Sequence, residues 1–361
     1  MRPEWSDPIN PPSQEIDKSP SLSGTPLALF IGVEGLELTA GEVALLGEAN
    51  PLGLFLFRRN LDNADQVRRL CAAFREIVGR PDAPVFIDQE GGRVQRLDNG
   101  KWPSFRSLGT FGALARKDLA LARHAMRLST RAMGALLTEL TIDSGTTPVV
   151  DLARSGTHDV IGPRAFGDDP DLVTTMAREV IDGMLEVGAL PIMKHIPGYG
   201  RVTVDPHFEC PVVDARLDEL RATDFRPFVA LRETPWAMVA HLIFTAIDPG
   251  RPASVSPVVA DLIRNYIGYD GVLITDCLSM EALKGTPAQR VSAALGAGYD
   301  VALMSQGGLE ASRSAAEGAR PLTAESLERI ARAERKRGSL RVDIAALHGE
   351  VERILRENGL A

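Results

Sequence analysis

From residue 25 onward, short runs of almost wholly apolar residues alternate with longer segments in which apolar side chains recur at helical spacing. Such short runs, many of them rich in β-branched residues, are typical of strands that are covered on both faces, as in a parallel sheet. Strands are predicted at LALFIGV (27–33), GLFLF (53–57), PVFID (84–88), TTPVVDL (146–152), LPIMKHI (190–196), AMVAHLIF (237–244), GVLITD (271–276) and DVALMS (300–305). Because helices separate these strands, the pattern predicts an α/β protein folded as a single (β/α)8 TIM barrel.

The helical segments support this prediction. In LTAGEVALLGEA, Thr39 and Glu42 have the spacing of a capping box, which predicts a helix starting there. An open doubly wound sheet is the alternative architecture, but no GxGxxG motif follows the first strand.

The two ends of the chain depart from the alternating pattern. Residues 1–24 are polar and rich in Pro and Ser, which predicts a flexible N-terminal tail or an arm draped over the surface. From about residue 321, two more helices are predicted to pack outside the barrel. Residues 25–361 are therefore expected to form one barrel domain that includes these helices.

Composition excludes several classes of partner. The formal net charge is −8 and there is no long basic run, which argues against a nucleic-acid partner. No signal peptide and no apolar run of about 18 residues is present, so no membrane association is expected. Cys71, Cys210 and Cys277 contain no CxxC pair, which favours a reducing, cytoplasmic location over a disulfide framework or a structural zinc site.

Chemically active side chains recur where the predicted strands end. Asp88 ends the third strand, Lys194 and His195 end the fifth, His241 lies in the sixth, and Asp276 ends the seventh. Barrel active sites are built at the carboxyl ends of the strands and in the loops that follow them. The sequence therefore predicts an active site at this end of the barrel.

Asp276 and the loop KHIPGYGRVTVDPHFECP (194–211) supply candidate catalytic groups. Asp276 is either a nucleophile at the barrel mouth or a cap for a helix beginning in LSMEAL. In the loop, Asp205 and His207 are separated by one residue, and a carboxylate beside an imidazole suits a general acid and base. Two alternatives are a solvated surface loop and a metal site formed from Asp205, His207, Glu209 or Cys210.

Two further loops offer groups for binding a ligand. FIDQEGGRVQRL (86–97) places Asp88, Arg93 and Arg96 around a Gly-Gly turn, where glycine lets the backbone approach a ligand closely. An Asp–Arg ion pair that only pins the loop is the alternative. Arg164 follows in VIGPRAFGDDP (160–170). Such a mixture of donors and acceptors suits a sugar, although Arg164 and Lys194 would also suit a phosphate.

The motifs DQEGGRVQR, VIGPRAFGDDP, KHIPGYGRVTVDPH and TDCLSM, in this order, resemble glycoside hydrolase family 3. The resemblance extends from about residue 26 to residue 305 and is strongest to the single-barrel members, the bacterial cytoplasmic β-N-acetylglucosaminidases of peptidoglycan recycling. It implies a retaining exo-β-N-acetylglucosaminidase (a β-N-acetylhexosaminidase) that forms a covalent glycosyl-enzyme. It also implies a barrel without a second sheet domain, no cofactor and no metal, and N-acetylglucosamine-containing cell-wall fragments as the substrate partner.

The resemblance assigns a role to each matching residue. It implies that Asp276 is the nucleophile and that His207, paired with Asp205 on a mobile loop, is the acid and base. The residues implied to grip the terminal N-acetylglucosamine are Asp88, Arg96, Arg164, Lys194 and His195.

At three positions the chain departs from the family pattern. Tyr199 stands where a second loop histidine is common, Pro206 lies inside the acid–base pair, and Cys277 replaces the acid after the nucleophile. Two alternative functions remain open: a phosphorylase in which phosphate replaces water, and a sugar-binding barrel that has lost most of its turnover.

Overall fold

A computed structural model describes residues 24–98, 100–154, 160–202, 210–280 and 283–360. The predicted N-terminal tail lies outside these residues except for Gly24. Asp205, His207 and Glu209 also lie outside them.

Seven parallel strands form the central sheet, in the order β3-β2-β1-β11-β10-β8-β6. Their bounds are β1 Leu27–Ile31, β2 Pro51–Leu56, β3 Val85–Ile87, β6 Ile192–Ile196, β8 Trp236–Val239, β10 Val272–Cys277 and β11 Val301–Met304. Two small sheets accompany it: the hairpin β4 Gln89–Gly91 with β5 Val94–Gln95, and the parallel pair β7 Val212–Val213 with β9 Ile243–Phe244. The prediction of an α/β fold with a parallel sheet is confirmed.

Aromatic packing shows that the sheet is curled. Phe30 of β1 stacks on Phe86 of β3 with ring centroids 4.5 Å apart, and Trp236 of β8 meets Phe86 edge-on at 5.2 Å. β3 and β8 lie far apart in the strand order, so their side chains meet only if the sheet curves round on itself. All three rings are fully buried, and each burial of this kind stabilises the fold by about 2–3 kcal/mol.

The strand predicted at 146–152 is not formed as a strand. Instead, segment 144–149 makes a single parallel bridge to each edge of the sheet: Ser144 to Phe86 of β3 and Val149 to Lys194 of β6. Pro148 has no N–H to donate, and Thr146 has a φ of 47°, which an extended ladder does not accommodate. The sheet edges therefore both contact this segment, but regular pairing is interrupted.

Helices cover the outside of the sheet. Their bounds are α1 Ala40–Ala49, α2 Ala64–Ile77, α3 Leu108–Ala115, α4 Leu119–Glu139, α5 Pro170–Glu186, α6 Leu217–Ala222, α7 Arg226–Ala230, α8 Pro257–Asp261, α9 Pro287–Gly296, α10 Gly308–Gly318, α11 Ala324–Glu334 and α12 Ile344–Glu357. Short 3-10 turns occupy Arg58–Asn60, Gly162–Arg164 and Ala253–Val255, and a π-turn occupies Leu262–Tyr266.

Local sequence explains where several helices begin. The capping box predicted for α1 is present: the Thr39 side chain accepts from the Glu42 N–H, and Glu42 accepts from the Thr39 N–H at 2.8 Å. The Asp118 side chain accepts from the Leu121 N–H and so caps α4, which begins as a separate helix after α3. Within the described ranges, no helix combines the length and the apolar character that crossing a bilayer requires.

Candidate active site

The carboxyl ends of the strands bring the predicted sugar-binding residues together. Asp88 directly follows β3, and Lys194 and His195 lie in the last part of β6. Arg96 follows the β4–β5 hairpin, and Arg164 ends a 3-10 turn. The described structure joins all five through a continuous set of hydrogen bonds and ion pairs.

Asp88 is one centre of this network. One carboxylate oxygen accepts from the Thr146 hydroxyl at 2.7 Å and lies 3.5 Å from the Lys194 ammonium. The other accepts from Arg96 Nη2 at 2.8 Å. Burial alone would raise the pKa of the Asp88 carboxyl, but the charges of Lys194 and Arg96 outweigh burial and hold that pKa well below its usual range. Asp88 is therefore a charged hydrogen-bond acceptor.

Glu90 is the second centre, and sequence reasoning missed it. Arg164 donates two parallel hydrogen bonds to its carboxylate, both 2.8 Å long, and Lys194 Nζ lies 2.5 Å from Oε1. Burial would raise the pKa of Glu90, yet the two cations lower it to about 2. The same pairing raises the pKa of Arg164, against the opposing effect of burial. A bidentate pair fixes the guanidinium plane, so Glu90 orients Arg164.

Asp151 is a third buried carboxylate that sequence reasoning missed. It lies 2.7 Å from Nδ1 of His195, and its oxygens also accept the backbone N–H of His195 at 3.2 Å and of Tyr199 at 2.7 Å. Since a carboxylate accepts, Nδ1 carries the proton, and Nε2 of His195 faces Arg164 Nη2 at 3.4 Å. The available signal was the position of Asp151 near the end of TTPVVDL. Barrel active sites are built at the carboxyl ends of the strands, which is called the strand-end rule below.

Each cation of the network is paired with a carboxylate. Asp88 pairs with Arg96 and lies near Lys194, Glu90 pairs with Arg164 and Lys194, and Asp151 pairs with His195 instead of a cation. Arg164 is paired with Glu90, and Lys194 lies between Glu90 and Asp88, so both cations already have carboxylate partners within the described structure. This arrangement suits a neutral ligand with many hydroxyl groups better than a phosphate.

Asp276 lies near the carboxyl end of β10, at the same end of the strands as the network, and is half-buried. Its Oδ1 accepts the Cys277 N–H at 2.7 Å, which leaves Oδ2 for other partners. Residues 278–280 form turns, and the next described helix, α9, is capped by Thr286. The alternative role of Asp276 as a helix cap therefore has no support in the described residues.

His241 lies behind Asp276 and is fully buried. Its Nε2 is 3.0 Å from the Cys277 carbonyl and its Nδ1 is 2.6 Å from the Ser254 hydroxyl. The carbonyl can only accept, so Nε2 carries the proton. Burial lowers the pKa of His241, although the charge of Asp276 opposes this. His241 is thus a neutral support for the backbone next to Asp276.

Cys277 occupies a closed, hydroxyl-lined position. Its Sγ lies 2.9 Å from the Ser279 hydroxyl and 3.0 Å from the Ser305 hydroxyl, and the residue is 8% exposed. The Cys277 side chain is therefore enclosed next to Asp276 and contacts two hydroxyl groups.

The predicted acid–base pair cannot be located, because Asp205 and His207 lie outside the described residues. The chain before them is well anchored: Arg201 pairs with Asp224 at 2.8 Å and with Glu219 at 2.7 Å. Among the residues that the structure does describe, no group of three or more His, Cys, Asp or Glu side chains could hold a metal. Three of the four residues of the metal alternative, Asp205, His207 and Glu209, lie outside the described residues.

Comparison with known proteins identifies the class. The sequence profile of the Glycosyl hydrolase family 3 N terminal domain matches residues 33–355. A beta-hexosaminidase of Stenotrophomonas maltophilia (strain K279a) is 40% identical over 289 residues, which cover 76% of this chain and 82% of that protein. A beta-hexosaminidase of Shewanella frigidimarina is 34% identical over 281 residues, which cover 76% and 81%.

Solved structures agree with this result. NagZ from Neisseria gonorrhoeae, in complex with N-trifluoroacetyl-D-glucosamine, superimposes with a TM-score of 0.83 at 27% identity, covering 92% of this chain and 98% of that one. A family 3 β-N-acetylglucosaminidase from Paenibacillus sp. reaches a TM-score of 0.80 at 28% identity, covering 91% and 66%. The chain therefore belongs to glycoside hydrolase family 3. It is a glycoside hydrolase with a NagZ-like fold, as the sequence motifs predicted.

Proposed function

We propose that this enzyme is an exo-β-N-acetylglucosaminidase that removes a terminal N-acetylglucosamine with retention of configuration. The observation that carries the proposal is the network in which Asp88 and Glu90 pair with Arg96, Arg164 and Lys194, and Asp151 with His195, at the carboxyl ends of the strands, where Asp276 also lies. Such a set offers fixed donors and acceptors to the hydroxyl groups of one sugar. The names of the relatives and the sugar-derived ligand of the NagZ neighbour support the same choice.

The proposed reaction has two displacements. Oδ2 of Asp276 attacks the anomeric carbon while His207, held by Asp205, protonates the departing glycosidic oxygen. In the second step, His207 takes a proton from water, which attacks the same carbon and releases Asp276. The hydrogen bond from the Cys277 N–H to Oδ1 supports this division of labour, because it holds the carboxylate by one oxygen only.

The five side chains that the motifs assigned to sugar binding keep that role in the proposal. Asp88 and Arg96 would bind hydroxyl groups at one side of the ring, and Arg164, Lys194 and His195 at the other. His195 would contact the sugar through Nε2, the ring nitrogen that Asp151 does not hold.

The proposed substrates are peptidoglycan fragments that end in β-linked N-acetylglucosamine, processed in the cytoplasm without nucleic-acid or membrane partners. The net charge of −8 supports the absence of a nucleic-acid partner. We also propose that segment 143–150 completes a (β/α)8 barrel, since it hydrogen-bonds to both β3 and β6. Residues 25–361 would then form one catalytic domain after a flexible segment 1–24.

The test uses 4-nitrophenyl β-N-acetylglucosaminide and a purified peptidoglycan fragment, with proton NMR of the sugar product. The expected result is release of the β-anomer of N-acetylglucosamine first, from both substrates and at the same rate with or without phosphate. First release of the α-anomer would contradict retention, and a sugar phosphate as product would identify a phosphorylase. Turnover by the wild type no faster than by Asp276→Asn would leave only a sugar-binding protein.

A further inference from the structure

The hairpin that carries Glu90 is held from outside the sheet by the C-terminal helix α12. The hairpin β4–β5 precedes Arg96 and presents Glu90 to Arg164 and Lys194. Segment 104–107 packs directly on its turn. The Gly92 N–H donates to the Phe105 carbonyl at 2.8 Å.

The glycines of this turn serve that contact. Gly91 has a φ of +96°, and a Cβ there would lie 2.4 Å from the Arg106 carbonyl oxygen. At Gly92, a Cβ would lie 2.6 Å from the Ser107 Cβ. In the structure, the Gly-Gly pair permits a close approach of the hairpin turn to the protein's own segment 104–107.

A buried glutamine ties the two pieces together. Gln95 Oε1 accepts the Phe105 N–H at 3.1 Å. Gln95 Nε2 donates to the Ser104 hydroxyl at 3.0 Å and to the Gly92 carbonyl at 3.1 Å. Any displacement of segment 104–107 is thus passed to the hairpin turn.

Helix α12 contacts the other side of segment 104–107. Glu352 receives two hydrogen bonds from Arg106, at 2.9 and 2.7 Å, and His348 Nε2 donates to the Ser104 carbonyl at 2.9 Å. The Phe105 ring meets the His348 ring edge-on at 5.7 Å. The helix itself is attached independently, because its apolar face buries Ile344, Val351, Ile354 and Leu355.

We propose that Arg106 and Glu352 are positioning residues for the sugar site: their ion pair lets α12 fix segment 104–107, and through it the hairpin that sets Glu90 against Arg164 and Lys194. Neither residue touches the sugar-binding network, so the effect acts through the hairpin. The inference rests on the proposed function, since the site that is positioned is the one proposed to bind N-acetylglucosamine. A bidentate Arg–carboxylate pair fixes both distance and angle, which suits this task.

The experiment compares the isosteric variant Glu352→Gln with Arg353→Gln. Arg353 lies on the same helix and pairs with Glu350 and Glu357 at 2.7 Å, away from segment 104–107. For Glu352→Gln we expect KM for 4-nitrophenyl β-N-acetylglucosaminide to rise by about fivefold with kcat changed by less than about twofold, the size that one partly exposed ion pair supplies. Arg353→Gln should keep the wild-type KM.

A charge exchange tests the pair itself. In the double variant Arg106→Glu with Glu352→Arg, KM should return most of the way from the raised value of Glu352→Gln to the wild-type value. An unchanged KM in Glu352→Gln, or an equal rise in Arg353→Gln, would overturn the proposal. If the double variant does not fold, the comparison of the two single variants decides.

Hydrogen–deuterium exchange separates this inference from the proposed function, because it needs no turnover. In Glu352→Gln, faster exchange is expected in residues 89–97 and 104–107, with β8 unchanged. Exchange that rises equally throughout the chain, or nowhere, would contradict the positioning role. If the proposed function is wrong, the observation is a different one: the wild type itself releases no N-acetylglucosamine.

Discussion

Asp151 accepts a hydrogen bond of 2.7 Å from Nδ1 of His195 and, through the same carboxylate, holds the backbone N–H of Tyr199. One buried side chain thereby fixes the imidazole that faces Arg164 and the backbone where the chain leaves β6 toward Asp205 and His207. Asp151 is 1% exposed, so its charge is compensated by these donors and not by water. The proposed sugar site and the loop predicted to carry the acid and base share this anchor.

Replacing Asp151 by Asn is expected to reduce activity more than it reduces stability. The amide has one acceptor in place of two charged oxygens, and its NH2 group opposes the donors of His195 and Tyr199. We expect kcat/KM to fall by about 100-fold, and the free energy of unfolding by about 2 kcal/mol, the usual cost of disturbing a buried charged hydrogen-bond group. Steady-state kinetics and urea unfolding measure the two effects.

Asp300→Asn is the matched control. Asp300 is also buried and charged, but it lies just before the amino end of β11, away from the carboxyl ends of the strands, and pairs with Arg264 and Arg329. The Asp300→Asn variant should have a lower free energy of unfolding, while its folded fraction keeps the wild-type KM and kcat. An Asp151 variant that loses activity only in proportion to its unfolded fraction would show that the residue is merely structural.

Removing the Asp276 carboxylate should abolish turnover. Asp276→Ala is expected to lower kcat by at least about 10⁴-fold, because no covalent intermediate can form. Added azide should restore part of the activity and yield the α-glycosyl azide, since a small anion can enter the space left at the same face of the sugar. The neighbouring variant Cys277→Ser should retain activity within about tenfold of the wild type, because a serine can keep the contacts with the hydroxyls of Ser279 and Ser305. Azide rescue yielding the β-azide would contradict attack by Asp276.

The strand-end rule found those site residues whose position follows from the chain itself. Asp88, Lys194 and Asp276 directly end or follow apolar runs, and their placement needs only a parallel sheet. Asp151, in the predicted strand 146–152, satisfies the same rule but was not singled out. That strand is interrupted at Thr146 and Pro148, where local backbone geometry opposes regular pairing.

Glu90 illustrates what the sequence alone does not reveal. Within EGGRVQR it resembles an ordinary charged turn residue. It is buried only because Arg164 and Lys194, which are 74 and 104 positions away, converge on it in the fold. The support by α12 is hidden for the same reason, since Arg106 and Glu352 are separated by 246 positions.

The stability contributed by Glu90 should depend on pH. Its folded pKa is lowered to about 2 from an ordinary value of 4.5, so the unfolded chain binds the proton more tightly. The contribution is therefore complete above about pH 4.5 and is lost as the pH falls toward 2. At pH 7 it is on the order of 3 kcal/mol.

Urea unfolding of the wild type and of Glu90→Gln measures this dependence. The difference in unfolding free energy between the two proteins should be constant from pH 7 to about pH 5 and should shrink steadily between pH 4.5 and 3. A difference that stays the same over the whole range would mean that the folded pKa of Glu90 is not lowered.

His207→Ala should discriminate between leaving groups. A 2,4-dinitrophenolate needs no proton in order to leave, whereas a sugar hydroxyl does, so general acid catalysis contributes only to the second case. We expect kcat/KM to fall by about 10²–10⁴-fold for a disaccharide of N-acetylglucosamine and to change little for 2,4-dinitrophenyl β-N-acetylglucosaminide. The ratio kcat/KM reports only the steps up to the first irreversible one, so it is insensitive to the later step in which His207 acts as a base. Loss of that base should instead lower kcat for the activated substrate. Equal losses in kcat/KM for both substrates would assign His207 to binding and would require another residue as the acid.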